Sequence, residues 1–334
     1  MMMKTIYDYL GSRRKLLFTI GILLLITPMV FAFGVLEETL SISSTPSPIT
    51  VTHNLDITDQ QTETLTVQQY LFNYASSTKT QSASSTLIVF SAGNSGDIYD
   101  REATHTNGTD TIHYNFYNNS VDHDLITDYT NYSGPTDGLT HTFPSVSVAR
   151  FNSYTATKDH DFIIEILDGQ YVPAGTYQDS VDVSLYKGAN LEETVTMLVT
   201  ITVEATVGLS IVDVGAAYNA NSTGYSMDFG SLTEGESLEA DAVARANTTY
   251  SISVYSYNGS KMKHETVDEY VPYTFSVDNT IVTMSSAMTP VEAVTTTATP
   301  STGTAHRLKV LIDSYSWVPA GEYEDNLVFE ITGN

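Results

Sequence analysis

No cysteine occurs in the 334 residues, so disulfide staples, thiol nucleophiles and thiolate metal sites are excluded together. Basic residues are scarce. Against 39 Asp and Glu there are 14 Lys and Arg, a formal charge of -25, and no basic stripe exists to displace counterions from phosphates, which excludes nucleic acid as a partner. Charged residues of both signs make up only 16% of the chain, unlike a helical bundle, whereas Thr, Ser, Tyr and Val are abundant, as half-buried strands require. The eight histidines show no His-Glu-x-x-His spacing, no serine sits in a Gly-x-Ser-x-Gly elbow, and no glycine-rich loop opens a helix. The chain therefore reads as all-β, with no cofactor and no enzymatic chemistry.

Long apolar runs are also missing, with one exception. Leu16 to Ile26 follows Arg13-Arg14-Lys15 and precedes Val30-Phe31-Ala32. That run is short for a bilayer span, and its basic flank and Val-x-Ala pattern mark a secretory signal over residues 1–32. Its removal takes away more basic than acidic residues, so the exported part is more acidic still.

What the chain does have is a repeat. Tyr171-Val172-Pro173-Ala174-Gly175-Thr176-Tyr177-Gln178-Asp179-Ser180-Val181-Asp182-Val183 returns as Trp317-Val318-Pro319-Ala320-Gly321-Glu322-Tyr323-Glu324-Asp325-Asn326-Leu327-Val328-Phe329. In each copy a Pro-Ala-Gly turn feeds an alternating strand with one buried face. After the first copy the chain turns at Gly188-Ala189-Asn190 and runs through a second alternation, in which Val195, Met197, Val199, Ile201 and Val203 fill the groove of their own domain. After the second copy the sequence reaches Asn334, and the expectation is a domain one strand short, whose acceptor groove is bordered by Leu327, Phe329 and Ile331.

The segments between divide accordingly. Residues 33–48, polar and broken by Pro46 and Pro48, read as a flexible arm. Residues 49–204 form an N-terminal sandwich, Ala205 to Gly208 a linker, and residues 208–334 a C-terminal sandwich. Ser76 to Ser85 reads as a Ser/Thr loop. Seven or so short strands per domain, spaced by turn signals, is the pattern of an immunoglobulin-like sandwich. Within the Asp- and Tyr-rich stretch between Asn118 and Thr142, Tyr129, Tyr132 and Leu139 are candidates for an adhesive surface, the alternative being packing beneath the loop. Asp122, Asp124, Asp128 and Asp137 lie in the same stretch but lack the EF-hand pattern, and a solvated loop is their default reading, so no metal site is assigned. His113 sits inside a strand alternation and reads as a surface or packed histidine. Asn-x-Ser/Thr matches at Asn107, Asn131, Asn221, Asn247 and Asn258 read as turn chemistry rather than glycan sites.

Ser91-Ala92-Gly93-Asn94-Ser95-Gly96 with Arg101, then Tyr114-Asn115-Phe116-Tyr117, then Pro173 to Val181 resemble the spore coat protein U-like domain of archaic chaperone–usher pili. The C-terminal domain is similar to the same class of exported pilin through Asp228-Phe229-Gly230, Arg245-Ala246-Asn247-Thr248-Thr249-Tyr250, Lys261-Met262-Lys263-His264 and Pro319 to Asp325. The chain departs from many members in lacking a cysteine pair. The resemblance implies a secreted fimbrial subunit that passes through the periplasm to the cell surface, folds with a periplasmic chaperone, crosses an outer-membrane usher, and accepts a strand from an adjacent pilus subunit. Strand addition is chemically reasonable for a sandwich with an unpaired edge. Two functions remain at this stage. One is a two-domain tip adhesin that attaches to an unidentified surface or receptor ligand and serves biofilm formation; the other is a structural shaft or coat subunit. The arm favours the first. Its better phase, Leu36, Glu38, Leu40 and Ile42, would drive a carboxylate into an apolar groove, so the chain is expected to accept a strand without giving one.

Overall fold

The computed structural model describes residues 35–334 apart from 56, 120–122, 135–136, 223 and 286–288. The secretory signal expected over 1–32 lies outside them. Every regular element among the described residues is a strand, and none of their segments is a helix long and apolar enough to cross a membrane.

Residues 36–203 carry β1 (Leu36–Ser44), β2 (Ile49–His53), β3 (Asp59–Asn73), β4 (Lys79–Gln81), β5 (Ser84–Phe90), β6 (Arg101–His105), β7 (Thr111–Asn118), β8 (Leu139–Phe143), β9 (Val146–Val148), β10 (Ser153–Ile166), β11 (Gly175–Lys187) and β12 (Asn190–Val203). The C-terminal sandwich uses β13 (Val207–Val212), β14 (Ser237–Ala246), β15 (Tyr250–Ser256), β16 (Lys261–His264), β17 (Tyr270–Val277), β18 (Thr280–Ile281), β19 (Val291–Thr296), β20 (Thr304–Ile312), β21 (Tyr323–Glu324) and β22 (Leu327–Gly333).

In the first, one hydrogen-bonded path runs β1-β3-β10-β7-β6-β11-β12-β2, with β5 joined to β11 and β8. In the second, a larger sheet runs β13-β14-β20-β17-β16-β21 with β18 beside β17, and a smaller one runs β19-β15-β22. The alternation read from the sequence is the cause. β17 buries every second residue, Val271, Tyr273, Phe275 and Val277, and β20 does the same with Leu308, Val310 and Ile312. Phe90, Phe116 and Phe162 meet edge to face in the N-terminal core, with centroids 4.9 to 5.8 Å apart, the geometry their ring quadrupoles favour.

Two compact units are present. The smaller consists of the described residues up to Ser41 with Gln68–Ser85 and Thr142–Lys158. The larger consists of Ile42–Val67, Thr86–His141 and Asp159–Asn334.

The smaller unit corrects two expectations. Residues 36–44, read as part of a flexible arm, form strand β1 with Leu40 buried. The carboxylate that made this segment look unfit for a groove is satisfied: Glu38 accepts from Gln69 Nε2 at 2.5 Å, Gln81 Nε2 at 2.7 Å and Ser84 Oγ at 2.6 Å. Three donors remove most of the desolvation cost that an isolated carboxylate would bear. The Ser/Thr loop of residues 76–85 is likewise not structureless, since β4 pairs with β9 from Lys79↔Val148 to Gln81↔Val146. Asn73, fully buried, holds this region by donating to the carbonyls of Ser77, Val148 and Ala149.

In the larger unit the linker is shorter than expected, because β13 begins at Val207 and only residues 204–206 lie outside strands. Arg101 is wholly buried. It donates to the backbone carbonyls of Ser91, Ile98, Phe90 and Ile126 and to Asn115 Oδ1, at 2.8 to 3.2 Å. Burial lowers its pKa to about 10, so the guanidinium stays charged at neutral pH and the cost of desolvating it is offset by a full set of acceptors.

Candidate functional site

A shift of 146 residues (171 to 317) superimposes one repeat copy on the other in the sequence, and the two copies are built alike in space. Tyr177 donates its hydroxyl to the carbonyl of Pro173 at 2.7 Å, and Tyr323 donates to Pro319 at 2.8 Å. This is a tyrosine corner, the device that fixes the start of the sixth strand of an immunoglobulin-like sandwich. His105 lies edge to face on Tyr177, with its Nε2 3.3 Å from the Ala174 carbonyl; His264 lies the same way on Tyr323, 3.2 Å from the Ala320 carbonyl. A side chain on Gly175 would collide with His105, and one on Gly321 with His264, which is why a glycine stands at both turns.

The aspartate of each copy anchors the strand from behind. Asp179 accepts from Tyr114 OH at 2.6 Å and from the amides of Asn94 and Ser180. Asp325 accepts from Tyr273 OH at 2.5 Å, from Ser256 Oγ and from the amides of Asn258 and Asn326. Burial, reinforced by the neighbouring carboxylate, pushes the pKa of both Tyr114 and Tyr273 well above the ordinary phenol value, and burial does the same to Tyr177. Tyr114 and His264 stand in the motifs that carry the resemblance, but the sequence assigned no role to them, and His105 and Tyr273 were not singled out at all. A signal was present: His and Tyr stand nine apart in both domains (105 to 114, 264 to 273).

β11 and β21–β22 are thus the same strand of the fold, and they differ in what lies beside them. β12 pairs antiparallel with β11 from Gly175↔Val203 to Lys187↔Asn190, and parallel with β2 from Val199↔Ile49 to Val203↔His53. Met197, Val199, Ile201 and Val203 are at most 2% exposed, and Val195 is half-buried. Under this strand Val181, Val183 and Leu185 of β11 are all 0% exposed.

In the C-terminal sandwich the equivalent side chains, Leu327, Phe329 and Ile331, are only half-buried. β22 pairs with β15 from Tyr250↔Gly333 to Ser256↔Leu327, and β22 and β13 are each the outermost strand of their sheets. Leu209 and Ile211 of β13 are half-buried too, whereas Ile49, Val51 and His53 of β2 are at most 3% exposed. The two open edges adjoin. Leu209, Phe329 and Ile331 pack on one core of Ala244, Ala246, Tyr250 and Ile252, and a Cβ on Gly333 would stand 3.2 Å from Val207 Cγ1. The result is an apolar trough between β22, which has no strand on its outer side among the described residues, and β13, whose Ile211 already bonds Ser222 through its amide and its carbonyl. What it can do chemically is accept an extended segment along β22.

The loop candidates separate. Leu139 belongs to β8 and is 6% exposed, so it offers no contact surface, contrary to the expectation that it could. Its position in an alternating pair of residues facing the core explains the burial. Tyr132 is half-buried. Tyr129 is 38% exposed and stacks on Tyr186 with centroids 4.1 Å apart. Of the four loop aspartates, Asp128 accepts from the Asn131 amide and Asp137 from Ser133, closing local turns, while Asp122 lies outside the described residues. His113 Nδ1 lies 2.6 Å from Asp100 Oδ1, with Glu102 Oε1 3.8 Å away, in a cluster at the surface. Asn247 is buried, which closes that sequon to a glycan.

No family model matches the chain, and no curated protein matches it. Among solved structures it is similar to the CsuC–CsuE chaperone–tip adhesion subunit pre-assembly complex of Acinetobacter baumannii, at 14% identity and a TM-score of 0.44, covering 88% of this chain and 99% of that one. It is similar as well to the CupB6 tip adhesin from Pseudomonas aeruginosa, at 10% identity and 0.34, covering 90% and 94%. A third is CfaE, the adhesive subunit of CFA/I fimbria of enterotoxigenic Escherichia coli, at 8% and 0.34, covering 88% and 99%. Superposition at this level says nothing of function.

Proposed function

We propose that this chain is an exported subunit of a chaperone–usher surface fibre that completes its C-terminal sandwich with a strand from a neighbour, and that it is the tip adhesin of that fibre. One observation carries the first part: side chains at equivalent positions of one duplicated strand are fully covered where β12 lies beside them and only half-buried where, among the described residues, no strand does. An incoming segment with apolar residues at every second position would pair with the outer side of β22 and fill the trough at once. Before assembly a periplasmic chaperone would supply that segment, after it an adjacent subunit, with an outer-membrane usher mediating the exchange.

The tip assignment is supported by β1. The segment that would serve as a donor is folded into this chain's own N-terminal sheet, with Leu40 buried and Glu38 hydrogen-bonded three times. A subunit that accepts a strand and keeps its own arm caps a fibre, and the additional N-terminal sandwich is then the binding module, with Tyr129 in the loop region that meets the surface or receptor.

A peptide with the sequence of Asn190–Val203, the strand that closes the N-terminal sandwich, tests the acceptor reading on the full chain. Added in excess, it is expected to raise the unfolding midpoint of the C-terminal sandwich and slow amide exchange in β22. The same peptide carrying Val199→Asp and Ile201→Asp is expected to do neither. No response to the wild-type peptide, together with exchange in free β22 as slow as in β11, would overturn the reading. Immunogold labelling of intact cells tests the tip position, and signal along the fibre length would overturn it.

A further inference from the structure

The repeated turn already makes one domain contact inside this chain. Ala174 donates its amide to the Asn247 carbonyl at 2.8 Å, and Asn247 Nδ2 donates to the carbonyls of Val172, at 3.4 Å, and Glu204, at 2.9 Å. The Arg245 guanidinium lies over the Tyr171 ring, 5.1 Å from its centroid, and the Tyr171 hydroxyl is 3.4 Å from Thr299 Oγ1. Asn247 also closes the connection itself: its Oδ1 accepts from the Thr206 amide at 2.7 Å and its own amide donates to the Thr206 carbonyl at 3.2 Å. It is 1% exposed and Thr299 is 7% exposed. The turn Tyr171-Val172-Pro173-Ala174 is therefore the seat on which the C-terminal sandwich rests.

The shift that relates the two domains carries this seat to Trp317-Val318-Pro319-Ala320, identical in its last three residues. Its backbone is held by the same tyrosine corner and the same histidine. Here the aromatic is uncovered: Trp317, the one tryptophan of the chain, is 87% exposed, and Ala320 is exposed where Ala174 is half-buried. A bare indole at a rigid turn is an expensive surface residue, and the equivalent tyrosine shows what covers such a position.

We infer that the Trp317–Ala320 turn is the seat for the next β-sandwich along the fibre, and that the neighbouring subunit meets it as the C-terminal sandwich meets Tyr171–Ala174. The neighbour would bring an asparagine in the place of Asn247, bonded to the backbone of the turn, and a cation in the place of Arg245, stacked on the indole. This rests on the fibre reading above but is distinct from strand exchange. It concerns the junction between successive sandwiches, and it makes that junction as fixed as the one within this chain.

The test uses sheared fibres from cells producing the full chain with a photoreactive benzoylphenylalanine in place of Trp317, and in a second strain in place of Ile331 on the open edge. The probe placed at Ser316, also exposed, covers the case in which the first substitution disturbs the turn. On irradiation the 317 or 316 probe is expected to shift the chain to the mass of two subunits, with the link mapping to the neighbour's segment that aligns with Arg245–Asn247 or with Thr299. If the 331 probe links to a second subunit while neither 317 nor 316 does, or if they link to another segment, to the chain itself or to a cell-surface ligand, the seat is wrong and the fibre reading stands. If no probe reaches a second subunit, both fall.

Discussion

Leu185 and Ile331 occupy the same place in the two copies of one strand, and truncating each to alanine should cost very different amounts. Leu185 is 0% exposed beneath β12. Leu185→Ala removes buried methyl groups and leaves a cavity that a paired strand cannot easily close, at a cost of about 2–5 kcal/mol. Ile331 is half-buried on an open edge. Part of its side chain is already in water, and the space left by Ile331→Ala is continuous with the trough, so the cavity penalty largely disappears and roughly 1–2 kcal/mol is expected. Supplying the Asn190–Val203 peptide should abolish the difference, raising the cost at Ile331 into the range measured at Leu185. Denaturant unfolding of the full chain followed by circular dichroism gives the two costs, and peptide-resolved hydrogen exchange assigns each transition to its sandwich, since two domains need not unfold together. Equal costs in the absence of peptide would refute the argument, because they would mean that the edge of β22 is as well covered as the interior of β11. A cost at Ile331 unchanged by saturating peptide would refute the position of the incoming strand.

Three further outcomes are expected. Ile201→Asp should unfold the N-terminal sandwich, since a carboxylate at a 0% exposed position loses roughly 1.5–3 kcal/mol of burial and adds several more for the buried charge; a wild-type melting curve would show that β12 does not close that domain. Arg101→Lys should destabilise by several kcal/mol, because three ammonium donors cannot serve the five acceptors the guanidinium reaches, and a loss under about 1 kcal/mol would mean that water replaces them. Tyr114, Tyr177 and Tyr273 have phenol pKa values raised in the fold. Their contribution to stability is therefore intact below the ordinary phenol pKa near 10 and is lost as pH rises above it, where the unfolded chain ionises and the folded one does not. Tyrosinate absorbance should show these three ionising only with unfolding, and their free titration in folded protein would contradict the burial.

The fold was legible in the sequence because its strands alternate and its repeat marks one strand in each domain without ambiguity. Tyr177 with Val181 and Val183, and Tyr323 with Leu327 and Phe329, report side chains that must face a core, and periodicity is a direct consequence of strand geometry. Less legible was anything that depends on pairing between segments distant in the chain. Residues 36–44 looked like a poor strand because Glu38 falls in the inward phase, and only the approach of Gln69, Gln81 and Ser84 turns that carboxylate from a liability into an anchor. Leu139 looked like a loop residue for the same reason, since its partner strand β5 lies far back in the sequence. The trough is an intermediate case. Its floor and one rim follow from the repeat, whereas the approach of β13 to β22 joins segments far apart in the chain and leaves no local pattern; only Val207 and Gly208 of β13 were read as linker.

An open sheet edge is normally a weak point, liable to fray or to pair wrongly, and the duplicated anchors explain how β22 holds its shape with one side unpaired. Tyr323 fixes the turn before it through the Pro319 carbonyl. Asp325 ties its start to Tyr273, Ser256 and Asn258. β15 holds its length in continuous antiparallel register, and Thr248 and Thr249 donate to the Asn334 carbonyl at its end. None of these attachments uses the outer edge. The strand is thereby set in place before any partner arrives, so an incoming segment bears the entropy of its own ordering but not that of the acceptor. The N-terminal sandwich uses the same anchors on β11, where β12 follows in the same chain. On the proposed reading, what separates the two domains is the source of the covering strand, while the machinery that holds its neighbour ready is common to both.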